Sequence, residues 1–354
     1  MPSRSTHMLD EIREQPQALR RTLASVAEPA SRIAGECTQR NIRLVILAAR
    51  GTSDNAAVYA QYLFQYVNRL PVALATPSLF TLYAAAPRLE DALVIGISQS
   101  GEAPDVVEVL VQARRQGALT LAVTNVRDSP LAMTADEILA CEAGPEHSVA
   151  ATKTYTATCA ALAVLASALP RGERLDSPLA ALPDRMEASL QQEPQIARAV
   201  ARYVHAPECV VLGRAFQYST AREMALKLEE TCYLIATPFS TADFRHGPAA
   251  LVERGLPVFV FAAPGPCVPD AHDMLSWLRE QHADTVVVSE DNRLLGLATT
   301  PIRLNLPPAP SEVAELLSPI AYIGPGQLFA QYLALERGLD PDRPRSLTKV
   351  TRTR

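Results

Sequence analysis

Glu223, Lys227 and Glu230 lie four and three residues apart within Tyr218–Cys232. On an α-helix that spacing puts all three on one face, with two carboxylates beside an ammonium, a set able to move a proton next to a fixed cation. In isolation the same pattern also describes a solvated face laced with ion pairs. Its position argues for chemistry, because the segment leads within a short distance to Ala242-Asp-Phe-Arg-His-Gly-Pro248. There, Gly247 and Pro248 set a turn that exposes His246, an imidazole able to exchange protons near neutrality. A second set of residues is built for an anion. Ala49-Arg-Gly-Thr-Ser-Asp54 and Ser98-Gln-Ser-Gly-Glu-Ala-Pro-Asp105 each follow an apolar run and open a helical stretch. Gly51 and Gly101 permit tight turns, while Thr52, Ser53, Ser98 and Ser100 offer hydroxyls. The helix starts add free amides and a positive dipole end. The combination suits a phosphate monoester, although Ser and Thr at such places also serve simply as helix caps. A third loop, Gly144-Pro-Glu-His-Ser-Val-Ala-Ala-Thr-Lys153, brings more hydroxyls and amides.

The elements that must position these groups are legible as a repeat. Leu44–Leu47, Leu93–Ile97, Leu119–Val123 and Glu137–Ala140 read as buried parallel strands, separated by helical-period segments such as Ala56–Tyr66 and Val106–Gln116. The series recurs as Val210–Leu212, Pro257–Phe261, Thr285–Val288 and Ile302–Leu306, with Val210 and Thr285 each 166 positions after Leu44 and Leu119, and Pro257 and Ile302 each 164 after Leu93 and Ile138. Four strands in register predict two similar α/β domains, each a parallel sheet flanked by helices in an αβα sandwich. The expected divisions are a helical segment over 1–34, a first domain over 35–170, a linker punctuated by prolines over 171–197, a second domain over 198–340 and a tail over 341–354. In an open parallel sheet the ligand site lies beyond the carboxyl ends of the strands, which is where these loops fall.

Composition excludes several other classes. A chain of 354 residues, 48% hydrophobic and 20% charged, can bury a large core. The net charge of −5 is spread along the chain, so nothing predicts nucleic-acid binding. No apolar run reaches membrane-span length and the N-terminus lacks an apolar signal region, so the expectation is a cytoplasmic protein with no membrane partner. The six cysteines are scattered without CxxC spacing and the histidines show no HxxxH pair, so neither a disulfide framework nor a metal site is expected.

Taken in order, GTS, SQSGE, GPE…VAATK, GR at 213–214, EMALKLEE, FRHGP and DPDRPRSLTKV resemble the sugar isomerase (SIS) family over nearly the whole chain. The similarity is to the isomerase portion of glucosamine-6-phosphate synthase and its stand-alone deaminase relatives. It implies two tandem SIS domains of flavodoxin-like topology, no cofactor, a sugar-phosphate substrate, and a homodimer. By motif match, Ser98, Gln99 and Ser100 with Thr52 and Ser53 would hold the phosphate, and Gly51, Ala150, Thr152 and Glu223 would lie at the sugar. Glu230 matches the carboxylate that moves a proton between carbons one and two, and Lys227 would orient it. His246 matches the ring-opening residue supplied by the partner subunit. Lys349, in a tail rich in arginine, matches a cation at the sugar. Two positions depart from the synthase pattern: Ala103 and Ala151 replace hydroxyl residues, one near the phosphate and one near the sugar.

The synthase also needs a glutaminase domain. This chain reaches the family's leading helix within a few residues of Met1-Pro2, so the expectation is a chain without one. With SVAATK and its KVTRT ending it most resembles deaminases that convert glucosamine 6-phosphate to fructose 6-phosphate and ammonia. Galactosamine-6-phosphate deaminase and fructosamine-phosphate deglycase are alternatives. A non-catalytic sugar-phosphate sensor is the competing class. It would require a DNA-binding segment outside the SIS pair and no reason to keep Glu230, His246 and Lys349 together.

Overall fold

A computed structural model describes residues 5–170, 175–309 and 311–349. Part of the expected linker (171–174) and the end of the tail from Val350 lie outside the described residues. Ten strands form two separate five-stranded sheets, all parallel. The first contains β1 (Leu44–Ala48), β2 (Val72–Leu74), β3 (Ala92–Ile97), β4 (Leu119–Thr124) and β5 (Glu137–Ala140), in the order β2-β1-β3-β4-β5. The second contains β6 (Glu208–Gly213), β7 (Ile235–Ser240), β8 (Pro257–Ala262), β9 (Asp284–Ser289) and β10 (Thr300–Arg303), in the order β10-β9-β8-β6-β7. Read from the edge strand, both follow the 2-1-3-4-5 order of doubly wound α/β folds. Each sheet therefore repeats the other, as the periodicity predicts.

The sequence reading missed β2 and β7, for a physical reason. Both are edge strands: β2 is three residues long and incompletely buried, and β7 carries Pro238. An edge strand need not be a continuous apolar run, and it tolerates a proline that a central strand would not. The central strands β3 and β4 are buried at every position, because helices cover both faces.

Two compact units contain the two sheets. Among the described residues, the one built on β1–β5 comprises 17–146, 153–170, 175–180 and 347–349; the one built on β6–β10 comprises 5–16, 147–152, 181–309 and 311–346. The divisions thus interleave in sequence. The short helix His7–Arg13 belongs with the second sheet because its N-terminal amides are capped there. Asp342 accepts from the backbone N–H of His7 and of Met8, each at 2.8 Å, and Thr6 Oγ1 accepts from Leu9 N. Glu11, on the same helix, accepts from the backbone N–H groups of His147 and Ser148.

All six cysteines are free thiols. Burial pushes the thiols of Cys37 and Cys141 up to about 12 and that of Cys232 to about 11, so none of these three is a nucleophile near neutrality.

The turn after β3 depends on Gly101, with φ +66°, where a Cβ would meet Ser129 Oγ at 2.0 Å. Gly51, with φ +53° and ψ −130°, needs the same freedom but has open space around it. Both Gly→Ala variants should be destabilised by about 1–3 kcal/mol from backbone strain. Gly101→Ala should lose measurably more than Gly51→Ala in urea unfolding, because a clash adds to the strain.

Candidate active site

The anion loops sit at the carboxyl ends of paired strands. β1 and β3 run parallel with Ala48 opposite Gly96, so both chains leave the sheet at one edge. After β1, Gly51 occupies the N-cap position of the helix Thr52–Asn68, which leaves Thr52 and Ser53 in its first turn. After β3, the Ser98–Gly101 turn closes on itself. Gly101 N donates to Ser98 Oγ at 3.1 Å and Glu102 N donates to Ser100 Oγ at 3.3 Å. Both hydroxyls are thereby used as acceptors and keep their hydrogens for another group. Ser53 and the Gln99 side-chain amide make no hydrogen bond to any described residue. The turn is held from behind, where Gln99 O accepts from Asn125 N (3.1 Å) and Thr124 Oγ1 (3.2 Å), and Gly101 O accepts from Leu131 N (3.0 Å). The loop thus presents unused donors on a fixed backbone, which is what binding of a phosphate oxygen requires.

Ala103 is the N-cap of the following helix, Pro104–Arg115, and supplies no side-chain cap. Its methyl group packs on the core cluster with Val94 and Val106. Sequence reasoning took Asp105 only as a helix starter and gave no role to Arg50. The structure joins them: Arg50 Nε donates to Asp105 Oδ2 at 2.7 Å, with Asp105 completely buried and Arg50 half-exposed.

The helix Gln217–Cys232 carries Glu223, Lys227 and Glu230 in the second unit. Lys227 Nζ lies 2.5 Å from Glu230 Oε2 and 3.4 Å from Glu223 Oε1. Glu223 and Lys227 are fully buried, which rules out a solvated face, whereas the Glu230 side chain keeps 21% of its surface. One ammonium therefore fixes two carboxylates, of which only Glu230 reaches solvent. Tyr233, in left-handed conformation, ends this helix and anchors the tail. Its hydroxyl accepts from Arg345 N at 2.7 Å, and the Arg345 guanidinium lies 4.2 Å from the ring centroid.

His246 caps the helix Thr241–Arg245 and is exposed. Its backbone N–H donates to Asp243 O at 3.0 Å, but its imidazole makes no hydrogen bond or ion pair with any described residue, Glu230 included. In the third loop, Ala150 and Thr152 are buried and Ala151 between them is only half-buried. Lys349 does not dangle as a disordered basic end. Its Nζ lies 2.8 Å from Oε2 of Glu146, a buried carboxylate that also accepts from Thr154 N (3.1 Å) and Thr154 Oγ1 (2.8 Å). The sequence reading missed Glu146 as the partner of Lys349, since nothing in GPEHS marks it as paired with a residue 203 positions away. Among the described residues no group of three or more His, Cys, Asp or Glu could hold a metal ion, and no helix is long and apolar enough to cross a membrane.

The two units share one doubly wound parallel α/β architecture, and the first carries a hydroxyl-lined turn after its third strand. Residues 40–168 and 203–336 match the model of the SIS domain, and the chain belongs to that family. It is 35% identical over 344 residues to the glutamine–fructose-6-phosphate aminotransferase (isomerizing) of Methanothermobacter thermautotrophicus, which covers 97% of this chain and 56% of that protein. The enzyme of the same name from Thermus thermophilus is 34% identical over 357 residues. The chain spans little more than half the length of these curated relatives. Among solved structures, a chain from Silicibacter pomeroyi DSS-3 provisionally classed as a phosphosugar isomerase superposes with a TM-score of 0.83 at 33% identity. The match covers 96% of this chain and all of that one. Glucosamine-6-phosphate deaminase from Thermotoga maritima shares the fold, with a TM-score of 0.80 at 20% identity.

The buried lysine should dominate the stability of the second unit. Lys227→Ala removes the buried ammonium shared by Glu223 and Glu230 and should cost about 3–5 kcal/mol in urea unfolding. The double variant Glu223→Gln/Lys227→Met, which removes both charges, should cost markedly less.

Proposed function

We propose that this chain deaminates an amino-sugar 6-phosphate, converting glucosamine 6-phosphate and water to fructose 6-phosphate and ammonia. The observation that carries the reading is Lys227, buried and shared by two carboxylates, which leaves Glu230 fixed and half-open at the end of its helix. A base so placed takes the proton from carbon two of the open-chain sugar and returns it at carbon one. The double bond to nitrogen then lies at carbon two, where water adds and ammonia leaves. Ser98, Gln99, Ser100, Thr52 and Ser53 hold the phosphate. The Lys349 ammonium, held by Glu146, stabilises negative charge developing on the carbon-one oxygen. His246 opens the ring, and its exposed, unpartnered imidazole suits a homodimer in which each subunit supplies this group to its partner.

The names of the curated relatives support a second reading, in which the chain performs the isomerising half of aminotransfer to fructose 6-phosphate. The SVAATK segment and the KVTRT ending, which resemble those of the deaminases more than those of the synthase, favour the first. The readings separate on ammonia release from glucosamine 6-phosphate without glutamine. Wild type should release ammonia and fructose 6-phosphate in equal amounts, and Glu230→Gln should lose about 10²–10⁴-fold in kcat with little change in KM. Galactosamine 6-phosphate and fructosamine 6-phosphate assayed alongside would reveal a different amino sugar. Binding without turnover of any of the three would point to a sensor.

A further inference from the structure

We infer that Arg50 is the specificity-determining residue for the phosphate dianion, locked in place by Asp105 and acting where Ala103 provides no hydroxyl. The inference rests on the phosphate assignment made above for the Ser98–Ser100 turn. Asp105 lies in the first turn of the helix Pro104–Arg115 and is fully buried. Its Oδ1 accepts from Val106 N at 2.9 Å and its Oδ2 from Arg50 Nε at 2.7 Å. A buried carboxylate beside a turn meant for an anion would repel that anion, so its charge has to be answered locally. Arg50 answers it with only one of its nitrogens. The guanidinium carries four further N–H donors on its terminal nitrogens, and these have no other partner among the described residues. The side chain is 51% exposed.

Position makes those donors useful. Arg50 precedes Gly51, the N-cap of the helix that carries Ser53, and its Nε is fixed on the first turn of the helix that follows Ser98–Gly101. The guanidinium therefore spans the starts of the two helices whose loops offer unused hydroxyl and amide donors. Arginine suits this seam better than lysine, since its planar fork can satisfy a carboxylate along one edge and phosphate oxygens along another. Ala103 at the N-cap has no side-chain donor to offer the same anion, and its methyl group is packed on the core. The arginine compensates with charge-assisted donors on its terminal nitrogens. That predicts a binding constant that weakens with ionic strength more than hydroxyls alone would cause.

The test is titration calorimetry of the full chain with fructose 6-phosphate and, separately, inorganic phosphate. Arg50→Gln/Asp105→Asn removes both charges and leaves no unpaired buried carboxylate. It should unfold near the wild-type midpoint yet bind both ligands about 10- to 100-fold more weakly. Arg50→Lys should lose several-fold, because a point charge on Asp105 cannot also reach the phosphate. Adding Ala103→Thr to the double variant should restore part of the affinity. Affinity of the double variant or of Arg50→Lys within twofold of wild type overturns the role of Arg50 while leaving the phosphate site intact. Wild type that binds neither ligand overturns the phosphate assignment itself.

Discussion

Parallel pairing of β1 with β3 is the constraint on which the proposed anion site depends. Two loops far apart in sequence can share one ligand only if their strands leave the sheet at the same edge, and the hydrogen-bonded register that sets Ala48 opposite Gly96 ensures that they do. In an antiparallel pair one of the two helix starts would lie at the opposite end of the sheet. The parallel arrangement also explains the strand composition. With helices on both faces, β3 and β4 have no solvent side and their sequences are almost wholly apolar, so polarity is concentrated at their ends. That abrupt change from Ala92–Ile97 to Ser98-Gln-Ser is the signature of a strand delivering polar groups to a buried edge.

Charge is managed in the same way at three places. The side chains of Glu223, Asp105 and Glu146 are each completely buried, and they meet the cations Lys227, Arg50 and Lys349 respectively. The Lys227 ammonium also reaches Glu230, while Arg50 remains half-exposed beside its partner. A buried carboxylate is costly unless it is paired, and breaking such a pair strands a charge in a medium of low polarity. Each carboxylate therefore fixes its cation within a narrow range of positions. Fixed charges are what a reaction through an enolate-like intermediate uses, because they need no reorganisation when charge develops.

Much of this was legible from the residues. The central strands, the doubling of the chain and the loops at the strand ends follow from apolar runs and their offset. The grouping of Glu223, Lys227 and Glu230 follows from helical spacing, because an interaction within one helix depends only on residues three and four apart. The edge strands β2 and β7 escaped because pairing on one side only relaxes the demand for apolar residues. The assignment of the first helix to the second unit escaped as well, since its cap, Asp342, lies 335 positions from His7.

The sequence by itself determined a doubled α/β chain with hydroxyl-rich turns after its strands and a carboxylate–lysine helix. Each of those is a local property, set by backbone periodicity and by the types of neighbouring residues. Only the tertiary structure decided which cation meets which buried carboxylate: Arg50 with Asp105 across 55 positions and Lys349 with Glu146 across 203. An ion pair between distant segments leaves no periodic trace in the chain. It exists because the parallel sheet and the returning tail bring the two charges within about 3 Å of each other, where desolvation makes any other pairing costly.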